Sequence, residues 1–320
     1  MSVCAHCQNF CSQPLQPGKI VYFYRMKQQK KAYLFALSAI LLWSTVGSAF
    51  KISLRYISFI ELLFYAAIVS TITLFLVLVF SKKLPLLLTL KPVNFWRASF
   101  LGLLNPFLYY VFLLQAYNLL LAQEAGTLNY IWPVVLVLLS IPLLKQKIGW
   151  VSLAAILISF IGTVIIGTQG HIFSLKFSNA TGVGLTLGSA VFWALFWIFN
   201  VKDQTDAVIK LFLSFVFGLI YITIYLAITK GFSPPPIRGL AGAVYLGLFE
   251  MGITFVLWLM ALKNSSTTAK VSNLVYISPF ISLFFIRFAV GETILVSTVV
   301  GLMLIVSGIL LQQYAGKFVK

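Results

Sequence analysis

Ten apolar stretches, at about residues 32–50, 59–80, 97–117, 121–144, 149–168, 181–200, 207–229, 239–261, 268–288 and 293–313, leave this chain few folds to choose from. Each is near the ~20 residues a helix needs to cross ~30 Å of hydrocarbon. Composition agrees. Of the 320 residues, 61% are hydrophobic and 9% charged, whereas a soluble domain is roughly a quarter charged. A soluble fold is excluded, and the expected class is an all-α integral membrane protein with ten transmembrane helices.

The second half of the chain reads as a copy of the first. Tyr130, Ile131 and Pro133 stand 146 residues before Tyr276, Ile277 and Pro279, and the same spacing puts Leu128 on Leu274, Ile148 on Ile294 and Gly162 on Gly308. Upstream, Leu101-Gly102-Leu103 and Ala116 match Leu246-Gly247-Leu248 and Ala261 at a spacing of 145, so one residue separates the two blocks. Five spans per half is an odd number, which turns the second copy upside down in the bilayer. The expected architecture is therefore two inverted five-helix repeats, residues 26–170 and 171–320, around a central cavity, as in many secondary transporters.

Basic residues set the orientation. With residue 1 on the inner side, that side collects seventeen: Lys19, Arg25, Lys27, Lys30, Lys31, Lys82, Lys83, Lys91, Arg97 and the pairs at 145/147, 202/210, 263/270 and 317/320. Six remain outside: Lys51, Arg55, Lys176, Lys230, Arg238 and Arg287. This asymmetry follows the positive-inside rule with both termini cytoplasmic. The net charge of +17 is thus a topology signal near anionic headgroups, and no nucleic-acid partner is needed to explain it.

Residues 1–25 differ in kind, with Pro14, Pro17, Cys4, Cys7, Cys11 and no apolar run of signal-peptide length. They read as a disordered cytoplasmic tail, or as sequence upstream of a natural start at Met26. Cys4-Ala5-His6-Cys7 resembles half of a zinc site, but no second Cys/His pair exists in the chain, so reduced thiols are the simpler reading. Neither metal nor cofactor is expected. The chain also lacks a G-x-x-x-x-G-K-[ST] phosphate loop and an H-E-x-x-H pair, and its two histidines, His6 and His171, fall outside the apolar stretches. An enzyme is therefore not expected.

Counted from the span ends, Trp43, Tyr109, Tyr110, Tyr130, Trp132, Trp193, Glu250 and Tyr276 each lie ten to twelve residues in, some 15–18 Å deep at ~1.5 Å per residue. Trp and Tyr ordinarily favour the headgroup level, so a group of them at mid-depth points to a pocket, although single rings pack equally well between helices or against lipid. Pro133 and Pro279 are a repeat-related pair of expected helix kinks. Among the acids, Asp203 and Asp206 belong to a cytoplasmic loop, and Glu61 and Glu292 to outer ends where carboxylates are solvated or ion-paired. Glu250 is the deepest and points to charge recognition or coupling. Glu124 is shallower, a second candidate that a helix N-terminus could also explain. Its repeat equivalent, Lys270, snorkels to the cytoplasmic headgroups.

These residues carry a resemblance. Gln123-Glu124-Ala125-Gly126-Thr127-Leu128-Asn129-Tyr130-Ile131-Trp132-Pro133 is similar to the E-x-G-x-x-N-Y-L-W-P stretch of the bacterial aromatic amino-acid exporters in the drug/metabolite transporter superfamily (EamA type). Leu42-Trp43-Ser44-Thr45 resembles their first-helix L-W-S-T, and Phe192-Trp193-Ala194 their sixth-helix I-W-A. The likeness runs from about residue 27 to 316. It implies ten helices in two inverted repeats, a central cavity and export of amino acids or related metabolites across the bacterial inner membrane. By motif, Trp43, Tyr130, Trp132 and Trp193 would line the cavity; Ser44, Tyr109 and Tyr276 are grouped with them as substrate-binding candidates. Gln146-Lys147 departs from the Gly291-Glu292 element kept in the second half.

The resulting expectation is a monomeric secondary transporter in the lipid bilayer, exporting aromatic or apolar amino acids or related small molecules. Alternatives are an importer or exchanger of a cationic or nucleotide-like metabolite, a passive channel and a membrane-embedded enzyme. Removal of residues 1–25 is expected to leave insertion and transport unchanged. Lost transport at unchanged expression would give the cysteine-bearing tail a role.

Overall fold

A computed structural model of the chain describes residues 17–145, 149–173, 177–265, 271 and 273–315. The cysteine tail with His6, the Gln146-Lys147 pair, Lys176 and Lys270 lie outside the described residues. Within them every regular element is helical and no strand occurs. In chain order the helices are α1 (Pro17–Ser53), α2 (Phe59–Phe80), α3 (Pro92–Gly102), α4 (Tyr109–Leu119), α5 (Ala122–Asn129), α6 (Trp132–Leu144), α7 (Trp150–Gly167), α8 (Ala180–Lys202), α9 (Ala207–Thr229), α10 (Ile237–Phe249), α11 (Ile253–Asn264), α12 (Ser278–Phe285) and α13 (Val296–Ala315).

Among the described residues, seven stretches are long and apolar enough to cross a membrane: α1 from Gln28, α2, α3 with α4, α5 with α6, α8, α9, and α10 with α11. Three shorter apolar stretches, Leu153–Gly167, Leu274–Val290 and Val296–Leu311, fall below that length. Polarity runs opposite to that of a soluble protein. Leu34, Leu41, Ile72, Phe80, Phe160 and Ile224 are exposed, while Ser44, Ser70, Gln123, Thr186 and Ser214 are buried. An apolar exterior over polar contacts inside is what lipid demands. One expectation is corrected at the N-terminus. α1 starts at Pro17, so residues 17–25 are helical; proline suits a first turn, whose N–H has no helical partner.

Four of the apolar stretches do not form continuous α-helix. α3 passes into α4 through a π-helical turn, Leu103–Leu108, in which Asn105 is extended (φ −148°, ψ 121°). α10 passes into α11 through Glu250, Met251 and Gly252. α5 gives way to α6 at Tyr130-Ile131, and a 3-10 turn, Asn273–Ile277, precedes α12. Pro133 and Pro279 occupy the first turns of α6 and α12. They sit where a helix restarts rather than kinking one in its middle, because the first turn tolerates a missing donor.

The two halves interlock. α2 and α9 run antiparallel and are tied at both ends. At one end Glu61 accepts from Lys230, Ser233 and Ser58. At the other, Asp206 caps α9 through the N–H groups of Val208 (3.0 Å) and Ile209 (3.4 Å) and pairs with Lys83 at 2.5 Å. Burial opposes the charge on Asp206, but Lys83 and the two N–H groups outweigh it and hold the carboxyl group below the ordinary carboxylate range. Small residues bring backbones together elsewhere. A Cβ on Gly102 of α3 would stand 2.4 Å from the Ser214 carbonyl of α9, and one on Gly247 of α10 2.5 Å from the Ala66 carbonyl of α2. α7 and α13 cross in the same manner: a Cβ on Gly162 would lie 2.5 Å from the Gly301 carbonyl, and one on Gly308 2.6 Å from that of Ala155.

Gly162→Ala is therefore expected to destabilise the protein by about 1–3 kcal/mol, since a methyl group would meet a backbone oxygen that cannot step aside. Gly184→Ala, with nothing within 4 Å of its Cβ, serves as the control. Melting temperatures of the purified variants in detergent decide; equal values would refute the close crossing.

Candidate functional site

Three of the four interruptions line one cavity of about 630 Å³, and Tyr109, just beyond the π-helical turn, stands in its wall as well. Helix interruptions free backbone groups, and in hydrocarbon these must find partners within the protein. Near Glu250 they do: the N–H groups of Glu250 (2.9 Å) and Met251 (3.1 Å) both reach the Leu246 carbonyl, Ser70 Oγ donates to the Met251 carbonyl at 2.9 Å, and Thr254 donates to that of Phe249. At the α5–α6 junction, Tyr130 and Ile131 N–H groups donate to Thr127 and Leu128 carbonyls, both at 3.1 Å. The chain thus turns aside at mid-depth without stranding these groups, and the space so opened is the cavity.

Its wall is aromatic, and Trp193 of α8 is the hub. Trp193 packs on Tyr109 with ring centres 4.6 Å apart, on Trp132 at 6.5 Å, on Phe255 at 6.0 Å and on Trp197 at 5.9 Å. Trp43 of α1 meets Trp258 at 5.4 Å and Phe255 at 6.2 Å. Polar atoms punctuate the rings. Asn129 Nδ2 donates to Tyr109 Oη at 3.0 Å, and Ser189 Oγ donates to Asn129 Oδ1 at 3.2 Å. Tyr110 Oη donates to Glu250 Oε1 at 2.9 Å. Among the described residues, the charged side chains of the wall are Glu250 and Lys202.

Of the residues singled out in the sequence, Trp43, Tyr109, Tyr130, Trp132, Trp193, Tyr276, Glu250 and Pro279 stand in this wall. Ser44 does not. It is buried behind Trp43, where its Oγ donates to the Ile40 carbonyl at 2.7 Å and meets Ser278 Oγ at 3.0 Å. Successive helical residues point in different directions, so the neighbour of a lining Trp faces a helix instead. Pro133 is likewise outside the wall, and Tyr110 stands behind it against Tyr109 and Glu250. Glu124 stands apart as well: it accepts from Gln169 Nε2 (2.7 Å), Ser178 Oγ (3.2 Å) and the Leu121 N–H (3.4 Å), tying down the start of α5. Trp197, Trp258, Asn129 and Lys202 also line the cavity and were missed. Trp197 was within reach of the sequence, since it stands four residues after Trp193 on the same helical face.

The cavity's two ends differ. Toward Lys202, Leu262 and Ser140 the wall reaches the ends of α8, α11 and α6, where Lys202 is exposed. At the opposite end Phe50 and Tyr117 meet edge to face at 5.2 Å, and Gly47 and Gly126 leave room for the Tyr117 hydroxyl, which a Cβ on either would approach to 3.0 Å. Beyond this plug lies a polar clasp between the halves. Glu292 accepts from the N–H groups of Ala122 (2.7 Å) and Gln123 (3.1 Å) at the α5 N-terminus, where a negative charge is favoured. Gln123 also pairs with the Thr293 carbonyl (2.9 Å) and the Leu295 N–H (2.8 Å), and Lys51 Nζ donates to the carbonyls of Tyr117 (2.9 Å) and Leu120 (2.5 Å).

Comparison with known proteins points the same way. An uncharacterized transporter of Clostridium kluyveri is 26% identical over 181 residues, 55% of this chain and 58% of that relative. A probable terminal-alkyne amino-acid exporter of Streptantibioticus cattleyicolor is 24% identical over 161 residues, 49% of this chain and 53% of that relative. In both cases the matched part spans little more than half of the curated relative. A solved crystal structure superposes with a TM-score of 0.63 at 21% identity, covering 91% of this chain and 99% of that one, a likeness of fold. The EamA-like transporter family matches twice, at residues 30–168 and 180–312. The chain belongs to that family, and it is a multi-pass membrane protein.

Proposed function

We propose that the protein is a secondary transporter of ten transmembrane helices in two inverted five-helix repeats, exporting aromatic or apolar amino acids or related small metabolites across the bacterial inner membrane by alternating access. The aromatic cavity at the helix interruptions carries this reading, because rings at mid-depth offer an apolar cargo stacking contacts in addition to burial. Adding the three shorter apolar stretches to the seven long ones makes ten, and the family matches each half separately.

The glycine crossings support a two-fold relation. At the spacing of 146, Gly162 corresponds to Gly308 and Ala155 to Gly301, so the contact of Gly162 with Gly301 is the image of that of Gly308 with Ala155. A cavity that reaches the Lys202 end and is plugged at the Tyr117 end suits an inward-facing state under the positive-inside orientation. Alternating access would then require the Glu292 clasp to part while the lysine-rich ends close. The amino-acid cargo draws support from the name of the Streptantibioticus relative. Glu124, away from the cavity wall, is assigned a scaffolding role.

Counterflow of labelled phenylalanine in proteoliposomes tests the proposal. Stimulated exchange is expected; leak that scales with any solute would instead make the protein a channel. Trp193→Ala and Trp132→Ala should weaken transport of aromatic substrates more than of small ones, by about 0.5–1.5 kcal/mol for each lost aromatic pair. Equal losses for every substrate would remove these rings from the binding site. Glu124→Gln is expected to lower the melting temperature, through weakened hydrogen bonds of about 1 kcal/mol, at unchanged substrate preference. A changed preference at unchanged stability would return it to the transport path.

A further inference from the structure

We infer that the cavity recognises its cargo by an ammonium group, taken by the Glu250 carboxylate, so that the substrate class is aromatic or apolar molecules carrying a primary amine. The inference rests on the aromatic-cargo reading above and names the polar head that such cargo must bear.

Glu250 stands at the middle of the α10–α11 span, thirteen residues beyond Ile237 and fourteen before Asn264. Its carboxylate is held from one side only. Oε1 accepts from Tyr110 Oη at 2.9 Å, while Oε2 is shielded from solvent and has no hydrogen-bond partner. A buried carboxylate oxygen without a donor is costly, and the hydroxyls at the interruption do not supply one: Ser70 donates to the Met251 carbonyl and Thr254 to that of Phe249. The missing partner is therefore a donor brought in through the cavity, and a cationic one forms the stronger bond.

The surroundings suit an ammonium more than any anion. Tyr109 packs on Tyr110 at 4.7 Å and on Trp193 at 4.6 Å, so aromatic rings stand beside the carboxylate, and ring faces attract cations. The other charge of the wall, Lys202, is nine residues along α8 from Trp193, about 13 Å of helical rise. The two charged groups of an α-amino acid share one carbon, so its ammonium cannot meet Glu250 while its carboxylate meets Lys202. At the deep end of the cavity the amine is the recognised group.

Head-group variants of one aromatic body test this. Binding to the purified full chain in detergent is measured by calorimetry at neutral pH for phenethylamine, phenylalanine, 3-phenylpropionate and 2-phenylethanol. The two amines are expected to bind at least about tenfold more tightly than the two molecules that lack one, the discrimination a charged hydrogen bond provides. Glu250→Gln should bring phenethylamine to the level of 2-phenylethanol and leave 2-phenylethanol unchanged. If the wild type binds 3-phenylpropionate as well as phenethylamine, the inference falls while the aromatic-cargo reading stands. If none of the four binds, both fall. Should Glu250→Gln fail to fold, the wild-type series decides by itself; a folded variant that keeps the preference for amines overturns the inference.

Discussion

In hydrocarbon no water waits for a backbone group that its helix has released, and this constraint decides where a cavity can exist in this protein. A helix can be interrupted at mid-depth only where polar atoms of its neighbours take up what is freed. Around Glu250 the takers are Ser70 from α2 and Thr254 from the restarted helix. Serine and threonine buried at such points are therefore part of the cavity's construction, although they do not line it. Ser44 belongs to the same class: it bridges toward Ser278 at the start of α12, holding α1 against the restarted helix, while Trp43 beside it faces the open space.

Interruption also changes what surrounds the cavity. Each restarted helix presents its first turn at mid-depth, and Tyr109, Trp132 and Pro279 enter the wall from such turns. The outer frame must then be held by contacts that do not pass through the cavity. Glycine crossings between α7 and α13, α3 and α9, and α10 and α2 do this by close backbone approach, which in lipid replaces the hydrophobic driving force available in water. Polar ties at the helix ends, Glu61 with Lys230 and Asp206 with Lys83, add registration along the axis. Phe50 and Tyr117 close the cavity at one end.

Much of this was legible in the residues, for identifiable reasons. α2 and α9 coincide with their apolar stretches because nothing interrupts them. Counting depth located Trp43, Tyr109, Tyr130, Trp132, Trp193, Tyr276 and Glu250 because a helix converts residue number into height. Height says nothing about azimuth, which is why Ser44, grouped with the substrate-binding candidates, faces a helix instead. The interruptions at Asn105 and Glu250 were missed because an apolar run looks the same whether its backbone is straight or broken; Pro106 and Gly252 were the local signs. Trp258 and Lys202 escaped because they line the cavity toward its end, away from the depth at which polar rings draw attention.

The repeat sharpens the case of Glu250. At the spacing of 145 that relates Gly102 to Gly247, Glu250 corresponds to Asn105. Both stand at an interruption, both are buried, and both leave side-chain atoms without a hydrogen-bond partner. Their surroundings diverge. Pro106 packs against Gly218 of α9, where a Cβ would meet its ring at 2.5 Å, closing the first interruption against a neighbouring helix. The second stands in the cavity wall. On the proposed repeat the same bend occurs twice, with an amide at one of the equivalent positions and a carboxylate at the other. An ionised carboxylate costs several kcal/mol at such depth; on the inference above, Glu250 borders the open space, where an ammonium can offset that cost, while the neutral Asn105 amide stands at the closed interruption.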